Sequence, residues 1–323
     1  MKSETKTTCT RFVTTAFIAL PLLSLLGCAT PPLTQVQQFG AASATLGESA
    51  QKAFELANDT SIDRNLYDIA ADPQKGPIET TFQGLFTGGD NVLNGAKMAE
   101  QLTLRLRALD QLSGYSRALQ QLAEADYAKD IDTAAKGLND SLNDLCGTFN
   151  KVTGKDLPIT EADIGIISTA VNAIGKAIVE SKRRVAIKTT VTMADSAVQE
   201  VSALISTDLG QASELAGYVI QAISNSRGSL QQAYNLERER PNSTFRSRYE
   251  MLLKARQLFE IETHTPEFFA AVSMGANAVG KAHAALRAAV ETDNFSSAEV
   301  AKWVGEIENY IKSVTDFYTS INE

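Results

Sequence analysis

Residues 131–152 read IDTAAKGLNDSLNDLCGTFNKV, and their spacing decides the fold. Ile131, Ala135, Leu138, Leu142, Leu145, Phe149 and Val152 recur at intervals of four and three. Side chains at that period share one face of a helix, over three heptads of a coiled-coil-like stripe. Gly154 followed by Pro158 marks where the pattern stops, since glycine suits a helix C-terminus and proline cannot continue it. The same alternation closes the chain, where Val300, Val304, Ile307, Ile311, Val314, Tyr318 and Ile321 repeat at the same intervals. Ser296 with Glu299 has the spacing of a capping box ahead of that stripe.

Helical periodicity extends to nearly every other segment. Leu33 to Ala71 reads as one long helix with small inner residues. Asn91 to Ala123 reads as another, with Ala99, Leu102, Leu106 and Leu109 inward and Arg105 and Arg107 outward. Thr160 and Asp163 start a helix that runs through 182–184 towards Leu204. The β-branched run Val185 to Thr192 lies inside it and reads as helix because both flanks do. Asp208 is placed to cap the next helix, which carries Leu215, Val219, Ile223 and Leu230 to about Glu239. Phe245 to Ile261 and Pro266 to Val290 complete the set, with Pro266 at a first turn, where its missing N–H costs nothing. The expectation is an all-α, elongated antiparallel bundle of seven or eight long helices with coiled-coil-like packing.

Composition agrees with that class. The 323 residues include only 7% aromatics, 20 Gly and 8 Pro, too few for a sandwich or barrel of many short strands. The 38 acidic residues outnumber the 30 basic ones, which argues against nucleic acid as a partner. Many core positions are Ala, Gly or Ser, which lets helix axes approach closely. The Ala-rich stretch Phe269 to Ala289 therefore needs a second small-residue face, and Ile164 to Val179 is the candidate. Asn172 to Ala177 and Asn277 to Ala282 share the pattern NA[I/V]GKA, with Lys176 and Lys281 at matching positions. Either a helix is duplicated or two Ala-rich helices are alike by chance.

The start of the chain has another character. Lys2, Lys6 and Arg11 precede an apolar run from Phe12 to Leu26, about 15 residues where a membrane span needs about 20. A basic segment followed by a short apolar one is the pattern of a secretory signal. Leu25-Leu26-Gly27-Cys28 resembles the bacterial lipobox, although Leu26 is bulkier than the residue usual there. The resemblance covers the first thirty residues. It implies a signal peptide of residues 1–27 and lipid attachment at Cys28, whose sulfur takes the diacylglyceryl group. Residues 28–32, with Pro31-Pro32, then read as a short linker, and helical periodicity makes residues 33–323 the bundle domain, with 154–160 as the place for any subdivision. Ala29 after the acylated cysteine resembles the outer-membrane sorting signal of Gram-negative lipoproteins, facing the periplasm. The chain from Cys28 onward has 27 basic and 37 acidic residues, a net charge of −10. Cys146 would then be the one remaining thiol, read as a packed small hydrophobe.

Motifs for catalysis or cofactor binding do not emerge. His264 and His283 lack metalloprotease spacing, and neither a nucleophile elbow, a phosphate-binding loop nor a dinucleotide fingerprint occurs. No cofactor and no metal are expected. His283, in an Ala-rich helix, reads as a packing residue, and His264, just before Pro266, as part of a loop or helix start. Two features stand out as interaction surfaces. Lys182, Arg183 and Arg184, with Lys176 and Lys188, are either a solvated face or a contact for lipid headgroups or an anionic envelope polymer. The connection from Asp72 to Asp90 is long for a bundle and carries Phe82, Leu85 and Phe86, which either cap the bundle or meet a partner.

The functional expectation is a non-enzymatic, lipid-anchored scaffold or binding module of the cell envelope, held to the membrane by its N-terminal lipid. Its partner would be an envelope protein or polymer, and the sequence carries no sign of its oligomeric state. The rival expectation is a protein resembling an α-helical pore-former, with residues 164–179 or 268–290 entering lipid.

Overall fold

The computed structural model describes residues 33–51, 96–125, 128–157, 179–294 and 297–320. The chain divides into two units, Met1–Thr30 and Pro31–Glu323, and every described residue belongs to the second. Cys28, the connection bearing Phe82, Leu85 and Phe86, and residues 164–178 lie outside the described residues, as does the side chain of Lys182.

Seven helices make up the described part: α1 (residues 34–51), α2 (Ala96–Glu124), α3 (Ala128–Thr153), α4 (Val179–Asp208), α5 (Glu214–Glu239), α6 (Phe245–Glu291) and α7 (Ala298–Ser320). No strand occurs among the described residues. The fold class is all-α, and the packing is that of an antiparallel bundle. Direction can be read from the contacts. Ser206 meets Ser273, Gln199 meets Gly280 and Lys188 meets Glu291, so α4 advances as α6 retreats. Phe268 stacks on Phe317 while Lys281 lies over Trp303, which sets α6 and α7 antiparallel as well. One continuous apolar core runs through all seven helices.

The deciding stripe behaves as its spacing requires. Ile131, Leu138, Leu142, Leu145 and Phe149 are buried along one side of α3. Gly154 ends the helix at φ +67, a left-handed geometry that costs a glycine little, and its N–H donates to the Asn150 carbonyl at 2.7 Å. The run Val185 to Thr192 is helical throughout.

Glycine also decides how close two helices come. A Cβ built on Gly40 of α1 would stand 2.5 Å from the Ser116 carbonyl oxygen of α2. No side chain of any size fits there, so α1 and α2 touch backbone to backbone at this point.

Several expectations are corrected. The segments 245–261 and 266–290 are one helix of 47 residues, with Pro266 inside it. Proline removes one backbone bond of the ladder. The buried stripe Leu258, Ile261, Thr265, Phe268, Phe269 and Val272 runs across it uninterrupted, and that packing outweighs the lost bond. Asp208 ends α4 rather than capping α5. Ser213 holds the cap, its hydroxyl accepting from the Ala216 N–H at 3.0 Å. Asp208 instead pairs with Arg105 at 2.7 Å, so that arginine turns towards α4 and not outward. In α7 the buried position is Phe317, and Tyr318 is 43% exposed. A straight helix has 3.6 residues per turn, so a strict heptad drifts off the core face within a few turns.

Candidate functional site

A buried polar network lies where α1, α2, α4 and α6 meet. His283 of α6 is fully buried. Its Nε2 lies 2.8 Å from the Tyr115 hydroxyl of α2, and its Nδ1 lies 2.9 Å from Oδ1 of Asp195 on α4. Arg287, one turn along α6, donates to Asp195 Oδ2 at 3.2 Å and to Glu291 at 2.9 Å. Gln199 donates to Asp195 and to the Gly280 carbonyl. Phe39 of α1 meets the imidazole edge-on, with ring centroids 5.6 Å apart.

Hydrogen bonding places a proton on Nδ1. An ionised carboxylate only accepts, so His283 donates its Nδ1–H to Asp195, while Nε2 and the Tyr115 hydroxyl make the second bond of the ring. Burial by itself would raise the Asp195 carboxyl. The hydrogen bond and charge of His283, then Arg287 and Gln199, outweigh it and hold the group below the usual carboxylate range. Burial first, and then the Asp195 charge, push the Tyr115 hydroxyl far above its ordinary value. The order Tyr–His–Asp has the parts of an acid–base relay, but His283 and Tyr115 are both sealed from solvent. A relay without access to substrate has nothing to act on. It joins three helices.

Two residues of the basic segment reach helix ends, while Arg184 is half-buried. Arg183 donates to the Ala125 carbonyl just after α2 at 2.7 Å, and Lys188 donates to the Glu291 carbonyl ending α6 at 3.2 Å. Cations there complement the negative end of the helix dipole. Lys281 lies over the Trp303 ring at 4.7 Å. Its repeat counterpart Lys176 lies outside the described residues, so the two are not compared. His264 sits within α6, 3.7 Å from both Glu260 and Glu267, not in a loop. Cys146 is packed against the core, and burial, then the Asp156 charge, raise its thiol. Among the described residues no group of His, Cys, Asp and Glu could hold a metal ion.

Two hollows open at the surface. One of about 540 Å³ lies between α6 and α7, with Phe268, Met274, Tyr310 and Phe317 inside and Glu267 and Asp316 at its edge. The other, about 330 Å³, is a groove between α5 and α6, walled by Leu230, Tyr234, Met251, Leu252, Ala255 and Phe259.

The second hollow belongs to a larger apolar surface that the spacing analysis passed over. The α5–α6 hairpin is held by Arg227 to Glu262 at 2.6 Å and by Ser247 to Glu237 at 2.7 Å. No residue of α6 before Leu258 is buried. Of the nine large hydrophobic side chains exposed among the described residues, six lie here: Leu236, Phe245, Tyr249, Leu252, Leu253 and Phe259. Phe245, Tyr249, Leu252 and Phe259 sit at helical spacing, a signal that was present in the sequence.

Fold and site together define an all-helical antiparallel bundle with a buried histidine network and one exposed apolar hairpin. The chain matches no protein-family model, no curated protein and no solved structure.

Proposed function

We propose that the protein is a non-enzymatic, lipid-anchored binding module of the cell envelope, attached through Cys28 and presenting its helical bundle in the periplasm. The observation that supports the binding part is the α5–α6 hairpin, where six large apolar side chains remain in solvent. Clusters of that kind on a soluble surface mark contacts with a protein or a membrane. The anchoring part rests on the resemblance to a lipobox. Three acyl chains, at about 0.8 kcal/mol per buried methylene, hold far more firmly than a single one. The sealed Tyr115–His283–Asp195 network favours a structural over a catalytic use of the one histidine in the core.

Metabolic labelling with a fatty acid tests the anchor. The wild-type chain should take up label, and Cys28→Ala should abolish it, leaving a protein with uncleaved signal or one released from the membrane. Unchanged labelling of the variant overturns the anchor.

A further inference from the structure

The α5–α6 hairpin combines three properties found together nowhere else among the described residues. It has an apolar stripe along one face of α6, from Phe245, 76% exposed, through Tyr249 and Leu252 to Phe259. It opens on an aromatic pair, Phe245 and Tyr249, stacked with centroids 5.7 Å apart. The start of α6 is also basic. From Phe245 to Phe259 stand Arg246, Arg248, Lys254 and Arg256 against Glu250, an excess of three positive charges in a chain of net charge −8, although the end of α5 carries Glu237 and Glu239 beside Arg238.

The neighbouring face of the same helix is already used. Met251 and Ala255 face α5 across the groove, and Glu262 receives Arg227. The stripe borders that seam, with Leu252 and Phe259 on the wall of the groove, and turns outward from it at Phe245 and Tyr249. Aromatic and leucine side chains on one face, with arginines beside them, make the pattern of a helix lying in a bilayer interface. The rings enter the headgroup–acyl boundary while the guanidinium groups stay among the phosphates. Each basic residue near an anionic leaflet adds about 1 kcal/mol of attraction, so the positive excess selects anionic over zwitterionic lipid. A protein partner would also cover the apolar stripe, but the local charge, opposite in sign to the rest of the chain, matches an anionic lipid surface.

We infer that the first four turns of α6, with the tip of α5, form an interfacial docking site for an anionic lipid surface. The inference deepens the binding-module reading and rests on it. It places a second membrane contact on the bundle itself, separate from the acyl anchor.

The test must read this contact alone, apart from any bilayer contact made by the apolar N-terminal segment of the full chain. Trp303 is the single tryptophan, so Trp303→Phe with Phe245→Trp makes a local reporter in the full chain. Vesicles are prepared from brominated phosphatidylglycerol mixed with phosphatidylcholine, and from brominated phosphatidylcholine alone. The reporter should shift to the blue and be quenched on the anionic vesicles, and do so much less on the zwitterionic ones. Adding Arg246→Glu and Arg256→Glu should raise the lipid concentration for half-maximal quenching at least about tenfold, since two positive charges become negative. Both side chains are exposed, so the melting temperature should stay within about a degree. Unquenched emission on anionic vesicles overturns the site, and equal quenching on both lipids overturns the charge argument. Emission that is already blue without lipid, and moves further with protein concentration, shows a second copy covering the stripe and also overturns it. Acyl labelling at Cys28 is read separately, so failure of the docking site and failure of the anchor are distinguishable.

Discussion

Asp195 shows what a single residue does for this bundle. Its carboxylate is held by His283, Arg287 and Gln199, on two helices, with only a small part in solvent. Asp195→Asn keeps the shape and removes the charge. The variant should lose about 1–3 kcal/mol at neutral pH, the usual cost of unpairing buried charge-assisted bonds. The folded carboxyl lies below its unfolded value of about 3.9, so in acid the unfolded chain binds the extra proton. The contribution of Asp195 is therefore complete above the unfolded value and lost as pH falls through the folded one. Urea unfolding of both proteins from pH 7 to pH 2 should show a constant stability difference down to about pH 4 that shrinks below it. A difference that persists unchanged into strong acid would mean that the folded protein does not hold Asp195 ionised.

At the scale of the element, α6 joins two environments. The buried stripe begins at Leu258, while the exposed one runs from Phe245 to Phe259, and Pro266 lies about two turns beyond the junction. Proline there leaves the Glu262 carbonyl without its backbone donor, and the Thr265 hydroxyl bonds the neighbouring Ile261 carbonyl at 2.6 Å. An interior proline costs up to about 3 kcal/mol relative to alanine. Pro266→Ala should therefore raise the melting temperature, with helical content by circular dichroism unchanged. A lower melting temperature would show that the backbone geometry imposed by proline is needed to seat Phe268 and Phe269 in the core.

For the whole molecule, the question is whether the bundle stays folded at a bilayer. No helix among the described residues is long and apolar enough to cross one. Of the two segments the pore-former reading would insert, 164–179 lies almost wholly outside the described residues, and 268–290 would have to leave the bundle. That segment carries Lys281, His283 and Arg287, whose partners lie on α7, α2 and α4, and its charges are costly in hydrocarbon. Dye-loaded vesicles of phosphatidylglycerol and phosphatidylcholine should release nothing when the protein is added. Release that depends on protein concentration would favour insertion over docking.

The sequence by itself determined the helices, because a helix is a local object and its apolar period is written in neighbouring residues. Ile131 to Phe149 and Val300 to Val314 could be read off directly, and so could the stop at Gly154. Two adjacent helices were misjudged at Pro266, since a local rule against proline cannot know how much packing lies on either side. Asp208 was misassigned for a related reason: as a potential cap it competes with Arg105, which is distant in the chain and near only after folding. The histidine network was beyond sequence reading altogether. Asp195 and Tyr115 lie 88 and 168 positions from His283, and nothing in their local patterns joins them. Tertiary structure alone decided that those three meet in the core. It also decided that Arg183 and Lys188 are drawn to helix ends, and that the stripe from Phe245 to Phe259 is left largely in solvent. The reason is that burial and pairing depend on the register between helices, which is set by close approaches such as Gly40 against Ser116 and not by the period of any one segment.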